Sequence, residues 1–173
     1  MKDKLLSKQG WVILLICIIS FFINNRVVVP DIMEARNMVT AREMVHDGNW
    51  LVPTMNGDLR LEKPPLPTWL TAVAEMISPD NLALQRAMAG FAAILLVAFF
   101  YLTAVQVMRN KRYAFISTIL LCTCYNIILM GRTASWDIYC HAFMMGAIYF
   151  LIKAFVLSLI HISEPTRLRR ISY

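Results

Sequence analysis

The chain has 173 residues, 58% of them hydrophobic and 16% charged, and 17 Lys and Arg against 11 Asp and Glu give a formal net charge of +6. Soluble domains carry about 25% charged and about 45–50% apolar residues, so the composition excludes an ordinary cytosolic enzyme, a disordered chain, a collagen-like repeat and a secreted disulfide scaffold. It fits a polytopic membrane protein, in which a basic excess bears on orientation in the bilayer before it bears on nucleic acid, and no nucleic-acid partner is expected.

A membrane helix needs about 20 mostly apolar residues. The first candidate runs from Trp11 to about Val29, after Lys2, Lys4 and Lys8. No small-residue cleavage site follows it, which predicts an uncleaved anchor. From Asp31 to Asp47, Ile32, Ala35, Met38, Val39 and Val45 recur at helical spacing with polar residues opposite. A loop follows, punctuated by Gly48, Pro53, Asn56-Gly57 and Pro64-Pro65. Leu66 to Ser78 is too short to span and reads as a helix lying at the interface. Three further spans are predicted: Ala87–Met108 without a charge, Tyr113–Met130 after the basic turn Arg109–Arg112, and Asp137 to about Val156 with Lys153 placed to snorkel. Cys17, Cys122, Cys124 and Cys140 lie in apolar runs without a CxxC pair and read as small hydrophobes.

The fold class expected is an all-α integral membrane bundle with four spans. Lys2, Lys4 and Lys8 share one side with Arg109, Lys111 and Arg112 after two crossings, and the positive-inside rule makes that side cytoplasmic. The segment 30–85 then faces outward, as does the short loop from Arg132 to Asp137. That first outer segment holds eight of the eleven acidic residues: Asp31, Glu34, Glu43, Asp47, Asp58, Glu62, Glu75 and Asp80. Trp11, Trp50, Trp69 and Trp136 all fall near the expected boundaries, as in an aromatic belt.

The outer segment carries three ordered motifs: Asp31, Glu34 and Arg36 just after the first span; Asp47-Gly48-Asn49-Trp50 with Pro53; and Glu62-Lys63-Pro64-Pro65. As a set they resemble the N-terminal part of GT-C-fold membrane glycosyltransferases, the lipid A aminoarabinose transferases and the related protein O-mannosyltransferase-like families. The resemblance covers residues 1–156 and is specific over 30–70. It implies a truncated GT-C bundle that takes a sugar from a polyprenyl-phosphate carrier to lipid A, another envelope glycan or protein. The reaction would be inverting and would take place on the periplasmic side of a bacterial inner membrane. The aminoarabinose group has adjacent Asp and Glu, whereas Ile32 and Met33 separate the two acids here. Either Asp31 or Glu34 therefore takes the place of the base, with Asp31 preferred.

Displacing phosphate from an anomeric carbon needs a base on the acceptor, worth roughly 10²–10⁴ in rate, and cations to hold the leaving phosphate. It needs no second carboxylic acid, because phosphate leaves unprotonated. The resemblance gives Arg36 and Lys63 the phosphate, as a bidentate fork and a compact charge. In the second outer loop it makes Asp137 an accessory acid and Arg132 a further phosphate ligand. The sequence assigns no cofactor with certainty. A divalent metal is conceivable because Asp137 and His141 share a helix face, although His141 reads more simply as a packed residue. Each site residue has a structural alternative as well: Asp31 with Glu34 approximates a capping box, Asp137 can cap the last span, and Lys63 can anchor at the interface.

Two other classes stay open. A transporter fragment would show charge within its spans or broken helices, and neither is expected in the second and third spans. A non-catalytic anchor or assembly protein would tolerate loss of both Asp31 and Lys63. From about residue 157 the string SLIHISEPTR resembles the translation of sequencing-adaptor read-through. The alternative is a basic cytoplasmic tail. On the first reading residues 157–173 are foreign, and the chain is the front end of a longer enzyme with no turnover of its own.

Overall fold

The computed structural model describes residues 8–163, with side chains described to residue 156. Lys2, Lys4 and the 157–173 segment weighed as foreign lie outside the fully described residues. In chain order the elements are α1 (Lys8–Phe22), α2 (Ile32–Asp47), β1 (Thr54–Met55), β2 (Asp58–Leu59), α3 (Pro65–Ile77), α4 (Leu82–Met108), α5 (Lys111–Cys122), α6 (Tyr125–Gly131) and α7 (Asp137–Ser163).

α4 is the hub, packed against α1, α3, α5, α6 and α7. Its small residues Ala89, Ala92 and Ala93 lie in the core with Ile13, Cys17 and Phe21 of α1, Cys122 of α5, and Ile138, Tyr139 and Ala142 of α7. Small residues let membrane helices approach closely. A Cβ added at Gly90 would sit 2.9 Å from Phe22, and one at Gly131 would sit 2.7 Å from Phe21. Phe22 ends α1 while Gly90 lies near the start of α4, so these helices run antiparallel. The end of α1, the start of α4, the end of α6 and the start of α7 gather at one end of the bundle, together with α2, the hairpin and α3.

Hydropathy located the long helices, and the structure moves their limits. α1 stops at Phe22, and residues 23–28 form turns in place of the continuation expected to Val29. α4 begins at Leu82, five residues before the expected Ala87, with Asn81 as N-cap. Arg86 can lie inside the helix because its charge is neutralised within the protein. The expected single third span is two helices, α5 and α6, bent by 64°. At the break the Thr123 hydroxyl is 3.1 Å from the carbonyls of both Ile119 and Leu120, a contact that competes with the helical ladder and bends helices. The break thus corrects the expectation of an unbroken third span. Of the two features expected of a transporter fragment, this segment therefore has the broken helix, while the break itself carries no charged residue. Among the described residues, α4 and α7 are long and apolar enough to cross a membrane, the bent pair counts as a third such segment, and α1 is a shorter apolar helix.

α2 corrects another reading. The stripe it buries is Glu34, Asn37, Thr40, Ala41 and Met44, not the apolar set read from periodicity, of which Ile32 is 67% exposed. Three of the five buried residues are polar, and each finds partners on other elements or on its own helix. The helix ends at Gly48, left-handed at φ 72°. The Asn56-Gly57 turn, with φ 57° and 81°, has the two positive dihedrals of a tight hairpin loop. It pairs Thr54 with Leu59 and Met55 with Asp58. Glu43 of α2 holds this hairpin by accepting from the Thr54 hydroxyl at 2.6 Å and from the Asn56 amide.

Candidate functional site

Glu34 lies at the centre of the polar end of the bundle. Its two carboxylate oxygens accept from Arg86 Nε at 2.7 Å and Nη2 at 2.8 Å, a bidentate pair with both side chains 1% exposed. Arg86 Nη1 also donates to the backbone carbonyls of Asn25 and Val28, which ties the turn after α1 to α4. Glu34 Oε1 accepts in addition from the amide of Ala134 at 2.9 Å. One turn further along α2, the Asn37 amide donates to the carbonyl of Ala134 at 2.8 Å and to the Thr71 hydroxyl at 3.0 Å, while its oxygen accepts from Thr68 at 2.8 Å. α2 therefore grips residue 134 by both its N–H and its C=O. Buried charge and amide are tolerated because every partner is in place.

This clamp sets the position of the next residues, Ser135, Trp136 and Asp137. Trp136 is buried, and two cations from the 58–65 segment approach its ring: Arg60 at 5.3 Å and Lys63 at 5.7 Å from the centroid. Both distances lie within cation–π range. Arg60 is 7% exposed. Its Nη1 donates to the carbonyl of Arg36 at 2.8 Å and to the Thr40 hydroxyl at 3.0 Å, and it lies 3.4 Å from Met55 Sδ. Burial pushes the Arg60 guanidinium below its ordinary value; the neighbouring Glu62 pulls it back up and Arg36 pushes it further down. Arg60, Lys63 and Trp136, with Thr40, Pro53, Pro65 and Thr68, line a cavity of about 10 Å³.

Of the six residues named from sequence, four lie on the two segments that meet here and on the helix beneath them. Asp31 is the N-cap of α2, exposed, with Oδ1 accepting from the Ile32 amide at 2.7 Å. It lies about 7.5 Å along the helix axis from Arg36, at 1.5 Å per residue. Arg36 is exposed beside Arg60, and Lys63 is exposed at the rim of the cavity. Asp137 is exposed in the first turn of α7, directly after Trp136. Glu34 and Arg132 are engaged elsewhere. Glu34 is enclosed as described, and Arg132 donates to Asn25 Oδ1 at 3.2 Å and to the carbonyl of Ile23, at the end of α1. His141 Nδ1 lies 2.6 Å from the backbone carbonyl of Asp137, and no group of three or more His, Cys, Asp or Glu with metal-binding geometry occurs among the described residues.

Sequence reasoning missed Arg86, Arg60 and Asn37, and took Trp136 only as a belt residue. Arg60 left a faint trace, as a cation two residues before Glu62 in a turn-rich loop. Arg86 and Asn37 left none, because their partners lie 52 and 97 positions away.

The chain is a helical bundle with a polar cap of carboxylates and cations at one end, and its architecture is that of the GT-C membrane fold. The chain belongs to the family described as Dolichyl-phosphate-mannose-protein mannosyltransferase, which it matches over residues 11–171. It is 34% identical over 92 residues to the undecaprenyl phosphate-alpha-4-amino-4-deoxy-L-arabinose arabinosyl transferase of Pseudomonas savastanoi pv. phaseolicola, an alignment covering 53% of this chain and 17% of that protein. It is 31% identical over 108 residues to the protein of the same name from Shewanella sediminis, covering 62% and 19%. Its fold is similar to that in the crystal structure of ArnT from Cupriavidus metallidurans bound to undecaprenyl phosphate, with a TM-score of 0.69 at 20% identity over 84% of this chain and 27% of that one. The chain thus spans about a fifth of the length of these sequence relatives.

Proposed function

We propose that this chain is the N-terminal part of a glycosyltransferase that moves a sugar from a polyprenyl-phosphate carrier to lipid A, another envelope glycan or a protein. The observation that carries the reading is the convergence of Lys63 and Arg60 on Trp136, one residue before Asp137 and beside the α2 segment that begins at Asp31. Cations gathered at one rim suit a leaving phosphate, and an exposed carboxylate suits removal of the acceptor proton. Asp31 is the base in this reading, because Glu34 has both oxygens committed to Arg86 and Ala134 and no route to an acceptor. Lys63 and Arg36 hold the phosphate, Asp137 assists as a second carboxylate, and Arg132 organises the turn after α1. The antiparallel course of α1 and α4 supports a common side for Lys8 and the Arg109–Arg112 turn, hence a cytoplasmic N-terminus and a periplasmic site in the inner membrane.

The test is sugar transfer from an undecaprenyl-phosphate-linked donor by the full-length enzyme that contains this segment. Asp31→Asn should lower transfer by roughly 10²–10⁴ at unchanged carrier affinity, and Lys63→Ala should weaken carrier binding. Full activity in both variants would favour an anchor or assembly role.

A further inference from the structure

The cavity beside Trp136 has a feature that the clamp residues do not explain. Arg60 Nη2 and Trp136 Nε1 are buried without a hydrogen-bond partner, although buried donors are almost always paired. Both side chains are more than nine-tenths buried, at 7% and 5% exposure, and both line the same cavity with Lys63 at its rim. Leaving a charged donor unpaired costs more than leaving a neutral one. Arg60 and Lys63 both lie within about 6 Å of the same indole ring, and Arg36 adds a further positive charge near Arg60, with Glu62 its acidic neighbour.

We infer that this cavity seats one anionic oxygen of a phosphate ester, with Arg60 Nη2 and Trp136 Nε1 donating to it and Lys63 closing the site from the rim. The volume decides the form of the ligand. About 10 Å³ is room for roughly one water-sized atom, so a single oxygen enters while phosphorus and its ester chain stay outside. The donors decide its charge. The open positions are N–H groups or ammonium, a set that satisfies an oxyanion and leaves a neutral carbonyl over-supplied. The Trp136 ring lies 5.3 Å from the Arg60 guanidinium and 5.7 Å from the Lys63 ammonium, which gathers both cations beside its N–H. This assignment rests on the carrier reading above and adds two residues to it, Arg60 and Trp136, as direct phosphate ligands.

The test is binding by the full chain in maltoside micelles, which contain no phosphate, with undecaprenyl phosphate and undecaprenol as paired probes. The wild type should prefer the phosphate. Arg60→Lys keeps the charge and removes Nη2; Trp136→Phe keeps a ring and removes only the N–H. Each should weaken undecaprenyl phosphate binding roughly 10–100-fold, the range for a hydrogen bond to a charged group, and leave undecaprenol unchanged. Arg42→Gln, a loss of charge at the surface pair with Asp80, should keep the wild-type preference. Competition by inorganic phosphate that disappears in Trp136→Phe would support the oxygen seat and make free phosphate a ligand; competition that both variants retain would overturn it. Wild-type preference in both Arg60→Lys and Trp136→Phe, with loss in Lys63→Ala, would overturn the seat while the carrier reading stands. A wild type that does not distinguish phosphate from alcohol would overturn both.

Discussion

Removing Arg86 separates a structural from a catalytic Glu34. Arg86→Leu deletes the guanidinium that contacts both Glu34 oxygens and the carbonyls of Asn25 and Val28. A carboxylate is then left in a site where it is 1% exposed, with the Ala134 amide as its remaining donor. Breaking one side of a buried ion pair costs about 3–5 kcal/mol, a large share of the 5–15 kcal/mol that holds a typical domain together. Glu34→Leu strands the opposite charge and should cost a similar amount. The double variant should cost clearly less than the sum, because no uncompensated charge remains; the residue is the unpaired Ala134 amide and two carbonyls, at about 1–3 kcal/mol each. The assay is SDS-induced unfolding in mixed micelles, followed by helical circular dichroism. The coupling from the double-mutant cycle should exceed about 2 kcal/mol. Single variants that each cost under about 1 kcal/mol, or costs that simply add, would refute a structural pair.

Further outcomes follow from packing and charge. Gly131→Ala places a methyl 2.7 Å from Phe21 and 2.9 Å from Ala93, so it should lower stability by about 1–3 kcal/mol; a rise in Tm would show that α6 can shift. Hydrogen bonds from Thr54, opposed by desolvation and aided by the Asn56 and Gly57 amides, hold the Glu43 carboxyl below its ordinary 4.5. A depressed acid stabilises the fold above its unfolded value and loses that contribution as pH falls through the folded value. Protection of the Asn56 amide, corrected for intrinsic exchange, should therefore be flat above about pH 4.5 and decline below it. Glu43→Gln should abolish that pH dependence, and Thr54→Ala, which lets the folded value rise toward 4.5, should make the decline smaller and end it at a higher pH.

The parts of the architecture set by local chemistry could be read from sequence. The uncharged run 87–108 is helical, Gly48 and Asn56-Gly57 break the chain where their dihedrals require it, and Pro64-Pro65 marks the start of α3. The parts set by distant partners could not. Arg86 ended the apolar window because a lone arginine is costly in a membrane, and nothing local reports the glutamate 52 residues earlier that neutralises it. Asn37 looked like a surface position on α2 because hydropathy periodicity assumes that polar residues face outward. The bend at Thr123 is hidden within a continuous apolar run, since hydropathy weighs side chains and not the backbone bonds that a threonine hydroxyl diverts. The motif acids and Lys63 could be named from the sequence, whereas the contact of Arg60 with Trp136, which joins loops 76 residues apart, could not.

The grip of α2 on residue 134 has a consequence for how the protein is made. A ribosome delivers Glu34 early, Arg86 some fifty residues later and the Ala134 peptide last, after α6. Until Arg86 has been made the carboxylate has neither of its final partners, and until residue 134 follows it lacks the amide that completes the site. The 30–85 segment can therefore stay unlocked and become fixed only when residues 132–136 reach it. Truncation before residue 134 would leave a cap unable to close, so correct assembly of this end reports that synthesis has reached the start of α7.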